Sequence, residues 1–469
     1  MSQYPSMTTT LPDIEISEEL IRRFDSLGPR YTSYPTADRF DTTFDEQSYI
    51  KHLEGHASAP VKAPLSLYVH LPFCASICYY CGCNKIITKD HGRSAKYLRY
   101  LEKEMALVAS HLHAQGKVVQ LHLGGGTPTF LSAAELHQLM DMLRQHFDFA
   151  ADAELAIEID PRTVDDNMMA MLAGLGFNRT SLGVQDFDPA VQQAVNRIQP
   201  VAMVEQATTA SRAAGFISVN FDLIYGLPKQ NLASFSNTLD EVIRLSPDRI
   251  ALYNYAHLPS RFKPQRRIAE SDLPSAEERL QIFLMSLRRL LAAGYVYIGL
   301  DHFAKPDDDL TRAQASKTLH RNFQGYTTRA ECDLIGLGLS SIGKVGNSYS
   351  QSISTLDEYY ERLDAGQLPV KRGFELSMDD VLRRQIIMNF MCSEPISFKA
   401  INSAYGIDFS SYFAKELSRL QQYKDAGFIT IDTNSITVTP KGRMFVRAVG
   451  MVFDKYLQQA TSAQYSKLI

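Results

Sequence analysis

Between residue 65 and about residue 256 the chain repeats one pattern six times: a short apolar, β-branched run, a loop, then an amphipathic stretch of helical period. The apolar runs fall at 65–73, 118–123, 154–159, 180–184, 218–224 and 249–255. The helical stretches fall at 95–111, 133–147, 164–175, 189–194, 201–214 and 232–245. Few folds accept such an alternation. A strand, a helix and a second strand join by a right-handed crossover, which makes the strands parallel. Periodicity leaves two architectures open, a doubly wound sheet and a partial barrel. In both, ligands sit on loops at the C-terminal ends of the strands. Those ends carry four cysteines, then Gly124-Gly125-Gly126-Thr127-Pro128, then Glu158 and Asp160, Gln185 and Asp186, Asp222 and Gly226, and lastly Tyr253-Asn254-Tyr255-Ala256-His257. One rim gathers them, which predicts one shared site.

The cysteine loop reads Cys74-Ala75-Ser76-Ile77-Cys78-Tyr79-Tyr80-Cys81-Gly82-Cys83 and holds four of the six cysteines in the chain. Thiolates this dense can hold a soft metal centre. The first twenty residues lack a basic, then apolar, leader pattern, so the thiols belong to a reducing compartment and disulfides are disfavoured. Structural zinc pairs two cysteine knuckles, and no second knuckle follows. An iron–sulfur cluster on three thiolates would leave one iron open, as catalytic sites require. No apolar run approaches the ~18 residues that cross a bilayer, so a cytoplasmic protein without a membrane partner is expected. A net charge of −4 gives no footing for nucleic acid. The glycine turn is not G-x-G-x-x-G and lacks a P-loop lysine, which disfavours a nucleotide-phosphate site.

Cys74, Cys78 and Cys81 match the C-x3-C-x2-C signature of radical S-adenosylmethionine (SAM) enzymes. The wider string LYVHLPFCASICYYCGCNK, with GPRYTSYPT, NRTSLGVQDFD, NFDLIYGLPKQ, NYAHLP and HRNFQGY, resembles the oxygen-independent coproporphyrinogen III oxidase family. The resemblance spans nearly the whole chain. It implies an α/β fold, a partial (β/α)6 barrel, with a 4Fe–4S cluster on Cys74, Cys78 and Cys81. It further implies two SAM molecules. The first would meet Tyr68, Gly125, Glu158 and Ile342. The second would meet Gly126, Thr127, Gln185, Arg197, Asp222 and Ala256. Cys83 is not a cluster ligand in the family, yet it distinguishes this branch from a related haem-chaperone branch that carries Phe there. Cys83 and Tyr68 are therefore the catalytic candidates, and a haem carrier is the alternative reading. The implied reaction converts the ring A and B propionates of coproporphyrinogen III to vinyl groups, with an unidentified electron donor and acceptor and a monomeric enzyme. The substrate is a tetracarboxylate, and Arg30, Arg261, Arg266 and Arg321 are candidates to face it by motif position alone.

The expected domains are an N-terminal arm and helical extension over 1–60, the barrel over 61–257, a barrel extension over 258–375 and a C-terminal domain over 376–469. A helical pattern at 18–24 precedes Gly28-Pro29-Arg30-Tyr31-Thr32-Ser33-Tyr34-Pro35-Thr36, which is compatible with a surface loop or with an arm over the site. Residues 295–303 read as a further strand. Gly336-Leu337-Gly338-Leu339-Ser340-Ser341-Ile342 reads as a tight turn presenting Ile342. The C-terminal domain reads as helices followed by a hairpin around Asp432-Thr433-Asn434-Ser435, resembling a winged helix. Its charges are interspersed without a basic face, so a lid is expected there rather than a DNA-binding module. Cys332 and Cys392 stand alone and are expected to be buried thiols.

Overall fold

The computed structural model describes residues 23–24, 27–113, 116–329 and 332–457. Most of the helical pattern expected at 18–24 lies outside them. The six apolar runs are strands β1 (Leu65–Leu71), β2 (Val118–Gly125), β3 (Phe149–Ile159), β4 (Arg179–Gln185), β5 (Ser218–Tyr225) and β6 (Arg249–Asn254). They lie side by side in sequence order, all parallel. Six further strands extend the sheet: β7 (Val296–Gly299), β8 (His302–Ala304), β9 (Asp333–Leu337), β10 (Ile342–Val345), β11 (Ser348–Ser352) and β12 (Val370–Glu375). The order is β12-β11-β10-β9-β1-β2-β3-β4-β5-β6-β8-β7, so the sheet has two ends and does not close on itself. β9 pairs parallel to β1, and the remaining additions are antiparallel.

Side chains alternate across a strand, and the six strands divide accordingly. Leu121, Leu123, Leu155, Ile157, Leu182, Val184, Val219, Phe221, Ile250 and Leu252 are buried in the hydrophobic core. The alternate positions, Gln120 and His122, Glu154 and Glu158, Arg179 and Ser181, Asn220 and Asp222, Arg249 and Tyr253, line a cavity inside the sheet. The crossover helices begin on side-chain caps, except Val201–Ala213, which follows Pro200. Ser132 and Glu135 bond each other's backbone ahead of Ala133–His146, and Asn231 and Ser234 do the same ahead of Leu232–Leu245. Orphan amides at these helix starts are thereby satisfied.

The strand expected over 295–303 is two strands. Leu300 takes φ +49° and the chain folds back at Asp301, so β7 and β8 pair with one another. The backbone carbonyl of Asp301 instead accepts from the Leu252 amide at 2.7 Å.

The chain forms two compact units, one spanning Ala37–Ser377 and one joining residues up to Thr36 with those from Met378. The first unit runs through residue 257 because β7 to β12 continue the barrel's sheet. In the second unit, helices Met378–Met391, Phe398–Tyr405 and Ala414–Asp425 precede the hairpin of Ile429–Ile431 with Ser435–Val438, as the sequence predicts. The Asp432 carboxylate accepts from the Asn434 and Ser435 amides at 2.7 and 2.8 Å and turns that hairpin. The GPRYTSYPT segment belongs to this unit. Tyr31 and Tyr34 are buried, the Tyr31 hydroxyl donates to Asp454 at 2.9 Å, and Arg447 donates to the carbonyls of Gly28 and Pro29. Cys392 is buried as expected, whereas Cys332 is only partly so.

Candidate active site

The cysteine loop leaves the C-terminal end of β1 and is seated by the glycine turn after β2. The Gly126 amide donates to the Leu71 carbonyl at 2.8 Å and the Thr127 amide to the Phe73 carbonyl at 2.9 Å. A Cβ on Gly126 would lie 2.7 Å from the Pro72 backbone, so only glycine fits. Gly125 takes φ +114°, and a Cβ there would strike the His70 ring. The turn is thus a backbone cradle for the loop and for the wall beside it.

Two cavities flank this loop. The smaller, about 160 Å³, is lined by Cys74, Cys78, Cys81 and Cys83 with Gly126, Thr127, Asp160, Arg162, Gln185 and Arg197. The larger, about 510 Å³, runs into the barrel past Tyr68, His70, His122, Asn220, Tyr253, His302, Gln324 and Ile342. Cys83, Gly125, Glu158, Ser181 and Asp222 line both. The shared wall is therefore one thiol, one glycine, one hydroxyl and two carboxylates.

The sulfurs sit among donors. Thr127 Oγ1 donates to Cys74 Sγ at 3.5 Å. Arg197 Nη1 and Arg162 Nη2 approach Cys78 Sγ at 3.6 and 3.9 Å. A hydrogen bond from Cys83, aided by Lys85, holds the Cys81 thiol below its ordinary range, while burial pushes Cys74 up to about 11. Among the described residues no three His, Cys, Asp or Glu groups converge to hold a single metal ion. A cubane cluster makes a different demand, because each thiolate takes its own iron. Three separate sulfurs with cationic and hydroxyl donors around them fit that group.

Arg197 is buried and held by several acceptors. Its guanidinium donates to Asp160 Oδ2 at 3.1 Å, to the Gly183 carbonyl at 2.7 Å and to Gln199 Oε1 at 3.1 Å, besides facing Cys78. Asp160 also takes Arg162 through Nε and through Nη2, the latter at 2.7 Å. Burial would raise the Asp160 carboxyl, but Arg197 and Arg162 hold it below its usual range. On the shared wall the balance differs. Glu158 accepts from His122 Nε2 at 3.1 Å and from the Gly125 amide at 3.2 Å, which together outweigh burial and lower its carboxyl. Asp222 accepts from Ser181 Oγ at 2.7 Å and Asn220 Nδ2 at 2.9 Å, and burial pushes it up to about 6.

Of the residues expected to hold the first SAM, Tyr68, Gly125, Glu158 and Ile342 all line the larger cavity. Of those expected at the second, Gly126, Thr127, Gln185, Arg197 and Asp222 line the smaller one. Ala256 lines neither; its carbonyl accepts from Gln265 Nε2 at 3.2 Å. Tyr68 bonds His70 Nδ1 at 3.2 Å and stacks on His122 at 5.9 Å. Arg261 and Arg266 are exposed and line neither cavity, and Arg321 stacks over Tyr326 at 4.8 Å. His122, Ser181, Asn220 and Arg162 escaped the sequence reading. The first three stand at alternate positions on their strands with Gly124, Gly183 and Asp222, and that period of two was the available signal.

The chain matches the Radical SAM superfamily over residues 68–242 and the HemN C-terminal domain over residues 376–445. It is 49% identical to oxygen-independent coproporphyrinogen III oxidase of Pseudomonas aeruginosa over 461 residues, covering 98% of this chain and 100% of that one. It is 45% identical to the Escherichia coli K12 protein of the same name, covering 96% of this chain and 98% of that one. The solved structure of coproporphyrinogen III oxidase (HemN) from Escherichia coli, described as a radical SAM enzyme, superposes with a TM-score of 0.88 at 44% identity, covering 91% of this chain and 97% of that one. Cysteine loop, glycine cradle and near full-length likeness agree: the chain belongs to the oxygen-independent coproporphyrinogen III oxidase family of radical SAM enzymes.

Proposed function

We infer that this chain is a radical SAM oxidoreductase that converts the ring A and B propionates of coproporphyrinogen III to vinyl groups, giving protoporphyrinogen IX without oxygen. The supporting observation is the shared wall of Cys83, Glu158 and Asp222, where a cysteine-lined cavity meets one large enough to admit part of a tetrapyrrole. Cys74, Cys78 and Cys81 would hold a 4Fe–4S cluster, which would supply the one-electron chemistry for reductive cleavage of SAM. The chain's own residues bind and orient. Tyr68, Gly125, Glu158 and Ile342 take one SAM. Gly126, Thr127, Gln185, Arg197 and Asp222 take a second, and Ala256, which lines neither cavity, is left out of that set. Glu158 and Asp222 offer carboxylates to the ammonium and sulfonium charges of such a ligand. Cys83, open to both cavities, is the catalytic candidate where they meet. The enzyme works as a cytoplasmic monomer, takes electrons from an external donor and passes them to an external acceptor.

The test is anaerobic incubation of reconstituted protein with coproporphyrinogen III, SAM and dithionite. Divinyl product together with 5′-deoxyadenosine is expected. Stable haem binding without turnover would replace this reading with a haem carrier. Cys83→Ser is expected to keep the cluster and lose product.

A further inference from the structure

We propose that the exposed cations of residues 261–267 form the docking surface for an acidic one-electron redox protein that reduces the cluster at the cysteine loop; this rests on the functional reading above. Arg261, Lys263, Arg266 and Arg267 are all exposed. No acidic residue lies between Asp248 and Glu270. The cysteine loop beside them carries no acid between residue 74 and Asp90. In a chain of net charge −4 this is a local reversal of sign.

The segment is fixed against the loop. Gln265 Nε2 donates to the Tyr80 carbonyl at 2.9 Å, and Arg267 Nη1 to the Tyr79 hydroxyl at 3.2 Å. The Phe262 ring lies so near Gly82 that a Cβ there would sit 3.1 Å from it. Tyr79 and Tyr80 also pack on the apolar cluster of Val191, Val195, Tyr255 and Ile268. The cations therefore stand at a defined place beside the exposed Gly82 and Cys83. None of the four lines either cavity, so they are not set to hold a carboxylate inside the barrel.

The reaction needs electrons from outside the chain. One electron leaves the donor, which is oxidised by one equivalent, and enters the cluster, which is reduced by one. Charge complementarity at such an encounter raises the association rate by roughly 10- to 1,000-fold and fades with salt. Electron-transfer contacts are small and short-lived, so a patch of this size suffices.

The experiment uses the full-length reconstituted protein without oxygen and two reductants, the hydroquinone of an acidic flavodoxin and dithionite. In the double variant Lys263→Glu, Arg266→Glu, the second-order rate of cluster reduction by flavodoxin should fall about tenfold or more at low ionic strength. The difference should close at high salt, and dithionite should reduce both proteins alike. With cluster-free protein, carbodiimide should cross-link Lys263 to flavodoxin, and Lys263→Gln should remove that link. Equal flavodoxin rates in wild type and variant would overturn the docking surface while leaving the functional reading intact. So would an unchanged flavodoxin rate with a raised KM for coproporphyrinogen III, which would assign the cations to substrate. A wild-type protein with no cluster for dithionite to reduce would overturn both.

Discussion

Within the strands of the barrel interior, the carboxylates toward the two ends are treated in opposite ways, Asp160 just beyond β3 being paired with Arg162 and Arg197. At the N-terminal ends of the strands, Glu154 meets Arg179 at 2.6 Å and accepts from Gln120 at 2.9 Å, while Arg249 meets Asp308 at 2.9 Å. Burial raises the Glu154 carboxyl, yet Arg179 and Arg249 bring it below its usual range. At the C-terminal ends, neither Glu158 nor Asp222 accepts a hydrogen bond from an arginine or lysine among the described residues. Ions that are fully paired close one end and leave nothing for a ligand. Carboxylates held by a hydroxyl, an amide and an imidazole keep their charge in reserve at the other end. On the proposed reading, a cationic ligand such as SAM would complete the pairing that the protein withholds.

Breaking the closed end should cost most. Arg179→Met removes the cation shared by Glu154 and Asp309 and leaves buried charge without its partner. Urea unfolding should show a loss of about 3–5 kcal/mol. A loss under ~1 kcal/mol would mean water already screens that end as it does at a surface.

The open end should respond with the opposite sign. The Asp222 carboxyl stands near 6 in the folded chain against about 3.9 unfolded. Between those values the native state binds more protons than the unfolded one, so stability falls as pH rises through the window. Above about pH 6 the whole penalty is in place. Asp222→Asn should therefore stabilise the cluster-free protein by about 2–3 kcal/mol at pH 8 and by nothing below pH ~4. A pH-independent gain would remove titration of this group as the cause. In the same variant, calorimetry should find SAM bound at least tenfold more weakly, roughly 1.4 kcal/mol. Equal affinity would mean the reserved charge is not for SAM.

The smallest effect concerns the rim that joins the two. Arg162 donates to Asp160 and approaches Cys78 Sγ at 3.9 Å. Cations and donors near cluster sulfurs favour the reduced, more negative state. Arg162→Met should lower the midpoint potential by about 59 mV, a tenfold change for one electron, with Arg162→Lys recovering part of it. An unchanged potential in redox titration would leave Arg162 as a support for Asp160 alone.

Much of this was readable in advance. Residues 189–194 and 232–245 were expected as helices and are helices. β5 and β6 differ from the expected runs by one residue at their ends. The break at Leu300 was not legible, because an apolar run carries no mark of the reversal that β7 and β8 make when they pair. The GPRYTSYPT motif gave no sign that its tyrosines would enter the core of the unit formed with residues beyond 377.

By itself the sequence determined the alternation of strands and helices and the three thiols at the end of β1. Both are local facts: period and spacing are properties of neighbouring residues. Only the tertiary structure decided that Arg197, 119 positions after Cys78, turns its guanidinium to that sulfur, and that among the described residues Asp222 accepts its hydrogen bonds from Ser181 and Asn220 and from no arginine or lysine. Such pairings depend on which strand ends the crossovers bring together and on how deeply each carboxylate is buried, and one-dimensional spacing encodes neither.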